Sequence, residues 1–196
     1  MAALDATVPA QAPAESTAPL PARHRRRSPI VVRATVAGIV LVWTAVFVAA
    51  PYLEPNPEVH RAALFAHLAA LVLGFGAVLT VDWFGLMWLL RRGSLVDVLR
   101  VAHGAHAPIW LGLAGLTASG VVLSPDTSSP LTVIKLLAVL AVAVNGLHAR
   151  HVQERMNALE GTPPPRGLLL RGALAVGVSQ AGWWTATTVG FINSQS

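Results

Sequence analysis

This chain of 196 residues is 54% apolar and only 12% charged, with a mean hydropathy of +0.60, about half the charge of an ordinary soluble domain. A net charge of +5 and a pI near 11.3 do not make a nucleic-acid surface here, because the basic residues sit in the flanks of hydrophobic runs. The absence of cysteine excludes disulfides, thiolate metal sites and cysteine nucleophiles, and three methionines are too few for a thioether copper(I) site.

Residues 1–28 are rich in Ala and Pro and end in Arg23-His24-Arg25-Arg26-Arg27. They lack a periodic apolar face, so a disordered tail is expected. The apolar run from Ile30 to Ala50 is longer than the h-region of a signal peptide and reads as an uncleaved first transmembrane helix. The second span is expected over 61–90, long enough to tilt or to project beyond the hydrocarbon core. Ser94 is placed to cap a short amphipathic helix over 95–102, lying at the interface.

The third span is expected over 107–123, where Gly112, Gly115, Ala118 and Ser119 permit close helix approach. The Ser124–Pro130 segment is a turn. The fourth span covers 131–147 and continues as a polar helix to Met156. After Thr162-Pro163-Pro164-Pro165 comes the fifth, over 168–192, whose Gly182-Trp183-Trp184-Thr185 reads as an aromatic interfacial segment. The fold class is therefore all-α, an integral membrane bundle of five helices occupying residues 29–193.

Arginine placement orients it. With the N-terminus inside, twelve basic residues fall on cytoplasmic flanks, among them Arg33, Arg91, Arg92, Arg150 and Arg166, and only Arg61 and Lys135 fall outside. The arginine bias with abundant Ala, Gly, Pro and Val is that of a high-G+C bacterial genome. The expected location is the bacterial cytoplasmic membrane, N-terminus inside and C-terminus outside, with the lipid bilayer as the main partner.

Ionisable groups inside spans are expensive and mark function. The outer layer holds His60, His67 and Lys135, and the inner layer Asp82, His103, His106, Asn145, His148 and His151. Gly74, Val78 and Gly85 share the face of His67, leaving room for a flat cofactor or for tight packing. His103 with His106, and His148 with His151, stand three apart at matched depth. Through His106 and His148 they offer axial ligands for haem b, and together they offer a multi-histidine metal site. The plainer alternative is histidines at headgroup level. Asp82 is expected to pair with Arg91, Arg92 or His106, or to relay protons. Lys135 is the only lysine, one turn inside the outer end of its helix, and can snorkel to the headgroups.

His67, the glycine-rich stretch with Asp82, Leu116-Thr117-Ala118-Ser119-Gly120, Lys135-Leu136 and Asn145 together resemble the four-helix unit of CopD-type copper-resistance proteins, HemJ-type protoporphyrinogen oxidases and b-type cytochrome subunits, over about residues 60–150. The resemblance implies catalytic roles for His67 and Lys135, which match by position the functional histidine and lysine of the HemJ-type enzymes. Three readings follow. One is a haem-b protein that transfers electrons or oxidises a hydrophobic substrate such as a quinol or porphyrinogen. His67, His106 and His148 would then bind the cofactor, with Asp82 as a further catalytic candidate. Another is copper or other metal handling through His103, His106, His148 and His151. The third is a cofactor-free subunit that packs against a membrane complex or another copy of itself. No hydrolase, kinase, zinc-protease or dinucleotide-binding motif is present.

Overall fold

The computed structural model describes residues 29–159 and 162–195, so the expected N-terminal tail lies outside the described residues. Five helices follow one another: α1 (Pro29–Ala49, extended by a 3-10 turn at Ala50–Tyr52), α2 (Pro57–Leu89), α3 (Leu95–Val122), α4 (Pro130–Asn157) and α5 (Arg166–Asn193). No strand occurs among the described residues. Helices α1 to α4 are long and apolar enough to cross a membrane.

Local chemistry sets the helix ends. The Asn56 side chain accepts the Val59 N–H and Pro57 occupies the first turn, so α2 begins earlier than its apolar run. It reaches 33 residues, about 50 Å long. Ser94 accepts the Asp97 N–H at 3.1 Å, as a cap should. The helix it starts is not a short interfacial one, however. It runs unbroken through Pro108 to Val122, merging the two expected elements. Proline forfeits one backbone bond and crowds the carbonyl four residues back. That residue is Gly104, which has open space around it.

In the turn before α4, the Ser128 N–H and hydroxyl both donate to Asp126 Oδ1 at 2.9 and 2.6 Å. These bonds favour the charged form and hold the Asp126 carboxyl below its ordinary range.

The core consists of two antiparallel hairpins. In the first, a β-carbon on Gly112 would overlap the Gly74 backbone and lie 2.8 Å from the Ala70 carbonyl, so α2 and α3 touch backbone to backbone. In the second, α5 packs along α4 over its full length. Asn193 donates to Thr132 at one end, Asn145 donates to the Ala175 carbonyl at 2.7 Å further along, and Gly172 faces Val152 near the other end. Helix α5, expected as the fifth span, is not among the helices long and apolar enough to cross a membrane, yet it lies alongside α4.

The hairpins meet through Phe75 of α2, stacked on Trp183 of α5 at 5.5 Å and 7°, and through Trp110 of α3, which faces Gly146 of α4. Trp183 is thus not interfacial as its neighbours in sequence imply. It is 2% exposed, at the centre of the cluster with Ala70, Val78, Leu113, Leu116 and Val142. Helix α1 rests on α3 and α4, burying Phe47 and Ala50. Large apolar side chains such as Phe65, Val72, Leu41 and Leu111 stand more than half exposed, which suits a lipid solvent and no aqueous one.

Candidate functional site

A cavity of about 480 Å³ lies between the hairpins, toward the end where α2 and α4 begin and α3 and α5 finish. His67 and Lys135 both line it, with Thr117, Trp183, Thr187 and Phe47. These two ionisable groups, on helices far apart in sequence, are the pair that the fold brings to one space.

His67 is held by α3. Its Nδ1 lies 2.9 Å from Ser119 Oγ. The Ser119 hydroxyl has one proton, and it points to the Gly115 carbonyl at 2.5 Å, as a serine in a helix commonly does. Ser119 therefore has only lone pairs left for the imidazole, and His67 must donate from Nδ1. In its neutral form His67 carries its proton there, with the Leu116 backbone carbonyl a further acceptor for the ring, and Nε2 is left as a lone pair. Such an imidazole is set up to bind a metal or accept a proton, its other nitrogen fixed by a second group.

Lys135 is half-buried, with neither hydrogen bond nor ion pair among the described residues. It does not snorkel clear of the bundle. Its Nζ sits 3.6 Å from where a β-carbon of Gly190 would stand, so the missing side chain makes room for it. Two of the lining residues, Trp183 and Thr187, each bury a side-chain polar atom without a partner among the described residues, Nε1 and Oγ1 respectively. An isolated ammonium and orphaned donors around an apolar space are costly unless something supplies acceptors.

No family model, curated protein or solved structure matches the chain. Geometry alone must therefore rank the remaining candidates.

Asp82 lies outside the cavity lining and pairs with none of Arg91, Arg92 or His106. It accepts a hydrogen bond from Gln180 of α5, whose own carbonyl oxygen accepts from Trp184 Nε1 at 3.0 Å. This neutral-partner network ties α2 to α5. The ion pairs found among the described residues are Arg100–Asp97 and Arg150–Glu154, both within single helices and exposed.

The inner histidines do not converge as expected. Among the described residues, no three His, Cys, Asp or Glu side chains gather closely enough to hold a metal ion. His103, His148 and His151 are exposed, and half-buried His106 packs edge-on to Trp110 at 6.1 Å. Helical phase gives the reason. The α3-facing side of α4 is marked by Gly146 against Trp110 and by Gln153, which donates to the Leu99 carbonyl at 3.0 Å. His148 stands about 200° round the helix from Gly146 and about 140° from Gln153, so it is turned away from α3 and from His106. His106 and His148 are therefore not turned toward one another across a shared space.

Ser119, Trp183 and Thr187 complete the site, and their polar roles were not anticipated from sequence. The available signal was a recurrence: Gly112, Thr117 and Gly120 in α3 return as Gly182, Thr187 and Gly190 in α5.

Proposed function

We propose that this protein is a membrane protein that binds a hydrophobic small molecule carrying an acidic group, of the porphyrin or quinol class, and that haem b is the cofactor best suited to its cavity. The observation that carries this reading is the placement of an uncompensated Lys135 ammonium and a free His67 Nε2 on one largely apolar cavity. The volume is within the range of about 300–1,000 Å³ usual for small-ligand sites. Lys135 offers a counter-ion to a carboxylate or propionate. His67 Nε2, oriented through Ser119, would hold the iron of such a cofactor or act as a base.

These residues fit a haem held by a single histidine, His67, and do not supply a second imidazole. A bound haem would contribute one-electron redox chemistry. The residues of the chain would bind and orient the ligand and exclude water. The same two positions match the functional histidine and lysine of HemJ-type enzymes, which favours this reading over metal handling. The charge bias of the loops favours an orientation with the Lys135 end outside and the N-terminus inside a bacterial cytoplasmic membrane.

The deciding experiment is the visible spectrum of protein purified after haem-supplemented expression. A Soret band that is lost in His67→Ala and retained in His148→Ala is the expected result. Protein that retains neither haem nor free porphyrin nor quinone would overturn the proposal and leave an assembly role.

A further inference from the structure

The two core hairpins follow one plan. Gly112 of α3 sits on Ala70 and Gly74 of α2, and Gly182 of α5 sits on Ala138 and Val142 of α4. A β-carbon on Gly120 would lie 3.6 Å from His67 Cε1, and one on Gly190 would lie 3.6 Å from Lys135 Nζ. A shift of 70 residues carries Gly112, Thr117 and Gly120 onto Gly182, Thr187 and Gly190, and a shift of 68 carries His67, Ala70 and Gly74 onto Lys135, Ala138 and Val142. Burial repeats with it: residues 112, 113, 116 and 119 are buried, and so are 182, 183, 186 and 189. The cross-hairpin contacts, α2 with α5 and α4 with α3, exchange under the same operation. It is an approximate two-fold axis along the helices, and the cavity lies on it.

The site is where the copies differ. Ser119, which holds His67, corresponds to Val189, so Lys135 has no such partner. The Thr117 hydroxyl donates to the Leu113 carbonyl at 2.9 Å, whereas its counterpart Thr187 has a buried hydroxyl without a partner among the described residues. Leu113 corresponds to Trp183, whose buried N–H is likewise without one. Trp183, Thr187 and Gly190 share one face of α5, the face opposite Lys135.

We infer that the bundle is a duplicated helical hairpin whose halves have diverged into a donor wall and an acceptor wall. The ligand lies across the two-fold axis, with a carboxylate on Lys135, Thr187 and Trp183 and its other pole on His67. This rests on the acidic, hydrophobic ligand proposed above, and it adds the residues that select the acid and the direction in which it binds. The donor wall is a carboxylate site. Three residues that line the cavity, Lys135, Thr187 and Trp183, carry N–H or O–H groups without an acceptor among the described residues, and the surrounding walls are largely apolar.

The test uses the full chain in lipid nanodiscs with two probes, protoporphyrin IX and its dimethyl ester, followed by porphyrin absorbance. Thr187→Val removes the hydroxyl at nearly constant shape, and Trp183→Phe removes the N–H while keeping an aromatic ring. Each should weaken the free acid about threefold to tenfold, and Lys135→Met should weaken it about tenfold or more. Binding of the ester, which lacks the charge but keeps an acceptor carbonyl, should be weakened less than acid binding by each of the three. Thr188→Val, at an exposed position outside the cavity, should leave both probes unaffected. Wild-type affinity for the acid in both Thr187→Val and Trp183→Phe, with loss only in Lys135→Met, would sink the donor wall and leave the proposed function standing. Failure of the wild type to bind either probe would overturn the donor wall and remove the porphyrin class from the proposed function.

Discussion

The His67 imidazole and the Ser119 hydroxyl, 2.9 Å apart, form a bond whose direction is fixed by a third group, the Gly115 carbonyl that takes the serine's proton. The relationship joins α2 to α3 and also decides which histidine nitrogen faces chemistry. Ser119→Ala removes the acceptor and leaves the ring free to exchange tautomers. Polar contacts between membrane helices average about 0.6 kcal/mol, so the loss of stability should be about 1 kcal/mol or less. The spectroscopic effect should be larger. With nitrogen-15-labelled histidine, wild-type His67 should show a protonated Nδ1, and Ser119→Ala should show a mixture. A wild-type imidazole protonated on Nε2 alone would remove the free ligand atom on which the site depends.

Glycine substitutions separate close packing from empty surface. Gly112→Ala and Gly182→Ala each drive a methyl group into the partner helix, against backbone in the first case and against Val142 in the second. Overpacking of this kind costs about 1–3 kcal/mol. Gly76→Ala meets nothing within 4 Å and should be neutral or stabilising by up to about 1 kcal/mol through helix propensity. Reversible unfolding in mixed micelles reads all three. Equal effects would mean that the hairpins do not touch where the glycines are.

The inner histidines provide a negative control. A variant with alanine at His103, His106, His148 and His151 together should match the wild type in haem retention and metal content, because those rings do not form a ligand set. Only His106→Ala should cost stability, about 1 kcal/mol from its edge contact with Trp110. Loss of a Soret band in the quadruple variant would require a rearranged inner end.

His67 and Lys135 were legible because a polar side chain inside an apolar run is expensive, and the cost itself marks the position. Ser119 was legible only as a small residue. A serine in a helix can satisfy itself against its own backbone, so nothing local announces that it also holds a histidine on another helix. Trp183 was misplaced for a related reason. Beside Trp184 in the C-terminal half of its helix it has the pattern of an interfacial belt, but it is buried against Phe75, more than a hundred residues away. The inner histidines show the reverse error. Matched depth follows from topology, but convergence depends on helical phase, and the marks of phase on α4, Gly146 and Gln153, acquire meaning only once their partners on α3 are known. The repeated Gly–Thr–Gly pattern was present in the sequence throughout.

Asp82 and Gln180 offer the sharpest test of how the hairpins are joined. The carboxylate of α2 accepts from the Gln180 amide, and Gln180 in turn accepts from Trp184, so removing the glutamine strands a charged acceptor and a donor together. Asp82→Asn retains an acceptor oxygen and should be tolerated, whereas Gln180→Leu should destabilise more. A double-mutant cycle between Asp82→Asn and Gln180→Leu should give a coupling of about 0.6–1.7 kcal/mol, the range of such bonds inside membranes. Cycles of Asp82→Asn with Arg91→Gln or Arg92→Gln should give none, because neither arginine pairs with Asp82. Raising the salt concentration should leave the Asp82–Gln180 coupling in place, since its partner is neutral and the contact is half-buried. A coupling found with Arg91 or Arg92, and none with Gln180, would mean that the inner ends of α2 and α5 are held apart and that α2 is anchored by charge alone.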